Sequence, residues 1–216
     1  MIRKVAAITG RREPDPATVI DRRYSSNNMY RLILILSVLP LAIALGLRWW
    51  LGLRVLATEG ARNCRCDLTR WLPAPGDEAA VHRAENSAAE FGRELRLKAL
   101  AEWHTRDPKA AVARESTRRF GTIVPPLSGI VAVMALLVGK IPVTGVLAIL
   151  IGASALAAVF SLLTLAPELR AIARSARNMR ENKNFPDEFD ELAVIECAIA
   201  HAWDAAAPPI LRWLQR

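Results

Sequence analysis

The chain has 216 residues, of which 52% are hydrophobic and 23% charged, with a net charge of +8. Mean hydropathy is nevertheless positive, +0.19, because the apolar residues are gathered into blocks: positions 32–47, 120–139 and 141–167 contain no charge. This segregation excludes a disordered chain, a disulfide-stapled miniprotein and an ordinary water-soluble globule, and predicts an integral membrane protein. The basic excess accompanies no nucleic-acid-binding motif. It is read as the positive-inside bias of a membrane protein facing anionic lipid, and no nucleic-acid partner is expected.

Residues 1–31 form a basic arm interrupted by Pro14 and Pro16. The apolar run that follows starts too late for a secretory signal and is read as a retained anchor over 32–53. Its uncharged part, 32–47, is slightly shorter than the ~20 residues that cross the hydrocarbon core. Arg48 is expected to snorkel, Trp49 and Trp50 to sit at the interface, and Pro40 to kink the helix. Trp71, Trp103, Trp203 and Trp213 are likewise read as interfacial anchors.

A polar helical region spans 54–122. Its Cys64-x-Cys66 pair is too close to bridge comfortably, and with Cys197 makes only three cysteines, too few for a disulfide framework. A loop is expected at Pro73–Gly76. Asp77 is expected to cap a helix running to about Arg106, with Val81, Ala84, Ala88, Phe91 and Leu95 on one face. Asp107-Pro108 ends it, and a short basic helix, Lys109–Arg119, is expected to stop at Gly121 and Pro125-Pro126. With no alternating pattern longer than four residues, the predicted fold is all-α.

The clearest pair of spans is Ile123–Gly139 and Ile141–Leu165, a transmembrane hairpin over 123–165. Lys140 separates the two and Pro142 starts the second. Gly145, Ala148, Gly152 and Ala155 make a small-residue face suited to close helix packing, with a second stripe at Ala153, Ala157 and Ser161. An alanine-rich composition would explain the same pattern. Residues 166–216 hold the C-terminal helices. Pro167–Lys183 carries Arg170, Arg174 and Arg177, and Asn184–Pro186 breaks the chain. Asp187–Ala207 is expected to bury Leu192, Ile195, Ile199 and Trp203. Glu196, His201 and Asp204 argue against this last helix crossing a bilayer, so it is expected to lie on the membrane or against the wet end of the hairpin.

Three spans put 54–122 and the C-terminal tail on one side. That side carries the larger set of Lys and Arg near span ends, against Arg22, Arg23, Arg31 and Lys140 on the other. The bias predicts an N-terminus outside and a cytoplasmic polar region.

The order of features over Val112–Arg216 resembles the neutral zinc metallopeptidases of bacterial membranes. That family combines an N-terminal anchor, a His-Glu-x-x-His helix, a proline-containing transmembrane hairpin, a Thr-Leu-Pro-Val-Glu-Phe-Asp-Ala-Ser segment and an alanine-rich closing helix. Here the hairpin exit reads Thr164-Leu165-Ala166-Pro167-Glu168-Leu169-Arg170-Ala171, and Val194–His201 resembles the closing helix. The resemblance implies a bacterial inner-membrane location, with Glu115 at the general-base position and Glu168 at the third zinc-ligand position. The signature helix, however, reads Arg114-Glu115-Ser116-Thr117-Arg118, with arginine at both histidine positions. A guanidinium is neither a neutral nitrogen nor an anionic ligand, and two of them repel a dication. His82, His104 and His201 are too scattered to replace the missing pair.

These departures predict a non-catalytic pseudo-peptidase without zinc, other cofactor or small-molecule substrate. Arg114, Glu115, Arg118 and Glu168 would be turned into an ion-pair network. The expected role is an accessory or structural subunit of a larger membrane complex, in contact with other membrane protein subunits and with anionic lipids of the bilayer. Two alternatives stand beside it: a divergent protease or protease regulator keeping a peptide-binding groove, and a membrane-tethered binder of anionic lipid or nucleic acid. Ser116 has no histidine partner for a triad. The absence of acids within the spans argues against an ion carrier.

Overall fold

The computed structural model describes residues 16–67 and 84–207, with side chains from residue 28 onward. Three of its helices are long and apolar enough to cross a membrane: Asn28–Thr58, Pro108–Leu137 and Val143–Glu181. The first belongs to a longer helical run made of α1 (Pro16–Leu47), a π-helical segment (Arg48–Leu53) and α2 (Arg54–Thr58) without a break. Pro40 lies inside α1. The widened π-helical turn lies where the apolar run meets its first charge.

The second and third long helices form the hairpin. The first of them, α4 (Pro108–Leu137), begins with Asp107 Oδ1 accepting from the Ala110 N–H at 3.2 Å and Pro108 in the first turn. It then runs unbroken through Gly121, Pro125 and Pro126. The expected stop at those residues is therefore corrected, and the expected short helix and first hairpin arm are one element. The two prolines delete N–H donors to the Gly121 and Thr122 carbonyls, yet the helix continues through them to Leu137. At its other end Gly139 adopts φ +72°, and the Gly139 N–H donates to Leu136 O and the Lys140 N–H to Ala135 O. This is a Schellman ending, which turns the chain within a few residues. Pro142 is the N-cap of α5 (Val143–Leu163) rather than its first residue.

Helix α5 is the centre of the bundle. Gly145 faces the Tyr30 ring and Gly152 faces Ile33 and Ser37, so the small-residue face that also holds buried Ala148 and Ala155 lies against α1. Ala157 lies against Gly121 of α4. Residues such as Leu36, Leu39, Ile130 and Leu137 remain exposed on the outside of the bundle.

A polar domain covers one end of these helices. It holds α3 (Ala88–Arg106), α6 (Leu165–Glu181), α7 (Glu188–Ala206) and a two-stranded antiparallel ribbon. The ribbon pairs β1 (Asn63–Arg65) with β2 (Glu85–Ser87), Cys64 opposite Asn86. The chain is otherwise mostly helical, as expected, and the ribbon is an addition that the sequence did not show, since strands of three residues are too short to display a period of two. Helix α3 starts at Ala88, not after Asp77, which lies outside the described residues together with Val81 and the Pro73–Gly76 loop. Ser87 is the cap and accepts from the Glu90 N–H at 3.3 Å, while Asn86 Oδ1 takes the Ser87 N–H at 2.8 Å. Ser87-x-x-Glu90 is the capping-box spacing. Ala84 precedes the strand and is not helical.

Phe91, Leu95, Leu165, Ile172, Met179, Phe185, Val194 and Cys197 form the core of this domain. Gly92 lets α3 press onto α7: a Cβ there would stand 2.7 Å from Cys197 Cβ and 2.8 Å from the Ala198 nitrogen. The buried face of α7 is accordingly one of small residues, Ala193, Cys197, Ala198, Ala200 and Ala202 with Val194. This corrects the expected face. Leu192 is exposed, while Ile195, Ile199 and Trp203 are half-buried and pack at the edge of the core, because close backbone approach leaves the centre of the contact to smaller side chains. Helix α7 packs mainly on α3, with further contact to α6 and the π-helical segment, rather than on the hairpin.

Candidate functional site

The signature helix, the hairpin exit and α3 meet at the corner between α5 and α6. Thr164 breaks the helical run there, and Glu168 falls in the first turn of α6. A carboxylate at a helix N-terminus and a cation at a helix C-terminus both meet a favourable backbone dipole, and this corner supplies both. Arg114, from α4, donates through Nη1 to the Ser161 carbonyl at 2.8 Å and to Thr164 Oγ1 at 2.9 Å, which caps the end of α5. Its Nε donates to Glu168 Oε2 at 2.8 Å.

The second carboxylate oxygen is also taken. Arg96 of α3 donates to Glu168 Oε1 through Nε at 2.8 Å and through its terminal nitrogen at 2.6 Å. Glu168 is 1% exposed and Arg114 3%. Two guanidiniums thus enclose one carboxylate away from solvent, with one positive charge left over.

The other two residues of the signature stand apart. Glu115 and Arg118 are exposed. Glu115 pairs with Arg119 at 3.2 Å across one helical turn, and Arg118 forms no ion pair among the described residues. Both line, with Arg119, His104 and Trp103, a cavity of about 250 Å³ whose inner wall includes Arg114 and Glu168. Trp103 is buried against Ala111 and Ala171, so its expected place at an interface is corrected. Trp49 and Trp50 are both exposed, beside Arg54, which stacks 4.5 Å over the Trp50 ring. Trp71 and Trp213 lie outside the described residues, as does His82. His201 Nε2 lies 2.9 Å from the Ala89 carbonyl in the polar domain.

Zinc, the ion implied by the family resemblance, does not fit this donor set. Glu168 has both oxygens engaged by guanidiniums, and the rest of the cavity wall sets one imidazole, His104, and the arginine-paired Glu115 among Arg114, Arg118 and Arg119, too few free ligands for zinc beside so much positive charge. No group of three or more His, Cys, Asp or Glu is placed to hold a metal among the described residues.

Sequence reading missed Arg96. Its signal is an interruption: Gly92, Ala99 and Trp103 are buried on one face of α3, and Arg96 falls on that face at helical spacing. It also missed the partner of Arg48. Arg48 is buried and donates through Nε to Asp204 Oδ1 at 2.8 Å, so it does not snorkel to the interface but ties the first long helix to α7. The cysteines are buried free thiols. Burial pushes Cys64 and Cys66 up to about 12 and Cys197 up to about 11, aided by nearby carboxylates. They remain neutral and poorly nucleophilic at physiological pH. A larger groove, about 930 Å³, runs beside Cys66, Arg180, Phe185, Glu191 and Leu192 and shares no residue with the Glu168 site. No family model, curated protein or solved structure matches this chain.

Proposed function

We propose that the chain is a non-catalytic integral membrane protein on a metallopeptidase-like plan. In this reading it serves as an accessory or structural subunit of a larger membrane complex, in the bacterial inner membrane. The observation that carries the reading is the enclosure of Glu168 by Arg96 and Arg114. A carboxylate at the ligand position of a hydrolytic site must be free to bind the metal, and the base must reach a polarised water. Glu168 is instead spent on holding three elements together, and Glu115, on the exposed side of the cavity, is paired with Arg119. The same contacts suit a brace. Arg114–Glu168–Arg96 joins α4, α6 and α3, and Arg48–Asp204 joins the first long helix to α7. The polar domain is thereby fastened to the apolar helices at two separate places, by a buried ion-pair cluster at Glu168 and a partly buried pair at Asp204. The outer surface of the bundle then meets lipid and other subunits.

Purification of the full chain in mild detergent, followed by elemental analysis and identification of co-purifying polypeptides, tests this. The expected result is less than one zinc per ten chains, no peptide cleavage and a reproducible set of membrane partners. One zinc per chain, lost on Glu168→Gln, overturns the reading in favour of a divergent protease.

A further inference from the structure

Arg114 is 3% exposed, and its Nη2 has no hydrogen-bond partner among the described residues. A buried donor left unpaired carries the full cost of its desolvation. The same side chain borders the 250 Å³ cavity, whose rim is formed by exposed Arg118 and Arg119. Arg96, Arg114, Arg118 and Arg119 outnumber Glu115 and Glu168 by two, so the cavity and the ion pairs behind it hold an uncompensated positive charge. A second recess of about 260 Å³ continues from Glu115, Arg118 and Arg119 to Thr122 and Ile123. Ile123 is exposed in this recess and Leu127 is exposed one helical turn beyond it, and the charge-free stretch begins at Phe120. Arginines are thus stationed one helical turn from the start of an apolar surface.

We propose that this cavity binds the phosphate of an anionic membrane phospholipid. Arg118 and Arg119 take the phosphate oxygens, Arg114 supplies positive charge from the inner wall, and the acyl chains run over Ile123 and Leu127. Guanidiniums match phosphate in geometry and charge, and anionic lipid is the abundant phosphate at the level where a span leaves the bilayer. Free inorganic phosphate shares this chemistry but has no use for the apolar ledge. The inference rests on the membrane reading, not on the absence of catalysis.

The full chain, stripped of lipid in mild detergent, is titrated with dioctanoyl phosphatidylglycerol, dioctanoyl phosphatidylcholine and inorganic phosphate, with binding read by native mass spectrometry and by thermal shift. Phosphatidylglycerol is expected to bind at least tenfold more tightly than either of the others. The double variant Arg118→Gln/Arg119→Gln, altered only at exposed positions, is expected to lose about tenfold in that affinity, and Lys140→Gln at the far end of the hairpin to keep it. Equal affinity for the two lipids, inorganic phosphate binding as tightly as phosphatidylglycerol, or an unchanged affinity in the double variant overturns the proposal. Recovery of the chain in the soluble fraction overturns the membrane reading and this inference together. Recovery with membranes but without lipid preference overturns this inference alone.

Discussion

Glu168 is the residue on which the corner between α5 and α6 depends. It is a buried carboxylate with three charge-assisted bonds from two arginines, so its neutralisation leaves two guanidiniums facing each other. Breaking a buried pair by removing one partner costs about 3–5 kcal/mol, far more than losing an exposed pair. Glu168→Gln is therefore expected to lower unfolding stability by about 3–5 kcal/mol. Glu168→Leu combined with Arg114→Met should cost less than Glu168→Gln alone, since Arg96 is then left with a path to solvent. Denaturant unfolding of the detergent-solubilised chain measures both. Equal stability of Glu168→Gln and the unaltered protein would show that water already screens the site. The exposed Glu115–Arg119 pair serves as the control, with an expected effect of about 0–1 kcal/mol. The part played by Arg96 was hidden from the sequence because the distance from 96 to 168 is a property of the fold. An arginine within an apolar helical face announces that it has a partner without saying which.

Among the elements, the contact between α3 and α7 is the tightest constraint on the fold. Adding a methyl at Gly92 brings a Cβ to 2.7 Å from Cys197 Cβ and 2.8 Å from backbone, a separation that requires the two helices to move apart. Overpacking of this kind costs about 1–3 kcal/mol, against a gain of up to ~1 kcal/mol from helix propensity. Gly92→Ala is expected to be destabilising by thermal unfolding, whereas Gly46→Ala, inside α1 where nothing lies within 4 Å, should be neutral to stabilising by up to ~1 kcal/mol. No loss at Gly92 would mean that the two helices slide freely. The same contact explains why the buried face of α7 was misread from its sequence. Large apolar residues at helical spacing usually mark the core side, but here Leu192 is displaced outward and the alanines face in. The long apolar helices were legible, because charge-free runs of such length admit few other readings. The Pro125-Pro126 pair was not, since proline ordinarily signals a break or kink, and only the long-range packing of α4 on α5 holds this helix through it. The ribbon is too short to read from sequence, and the true cap, Ser87, is masked because apolar residues at helical spacing, Val81 and Ala84, already precede it.

The three long helices and the polar domain define two unequal ends. One end carries the polar domain, the wet end of α4 and the exposed row Arg170, Arg174 and Arg177 of α6; the other carries the turn around Lys140. Many basic residues at the domain end are committed to ion pairs, among them Arg62 with Asp190, Arg114 with Glu168 and Arg180 with Glu191. The positive-inside bias counts Lys and Arg close to span ends and gives acidic residues little weight. The domain end keeps the larger set on that count, so it is expected in the cytoplasm with the Lys140 turn outside. The buried native thiols make a labelling test clean. With Cys64, Cys66 and Cys197 reacting slowly while the domain is folded, an added cysteine at Lys140→Cys should react with a membrane-impermeant maleimide in intact cells. An added cysteine at Arg177→Cys should react only after the membrane is opened. The reverse pattern places the polar domain outside and requires the seven Lys and Arg of residues 1–31 to govern orientation instead. That outcome would also move the proposed lipid site to the outer leaflet.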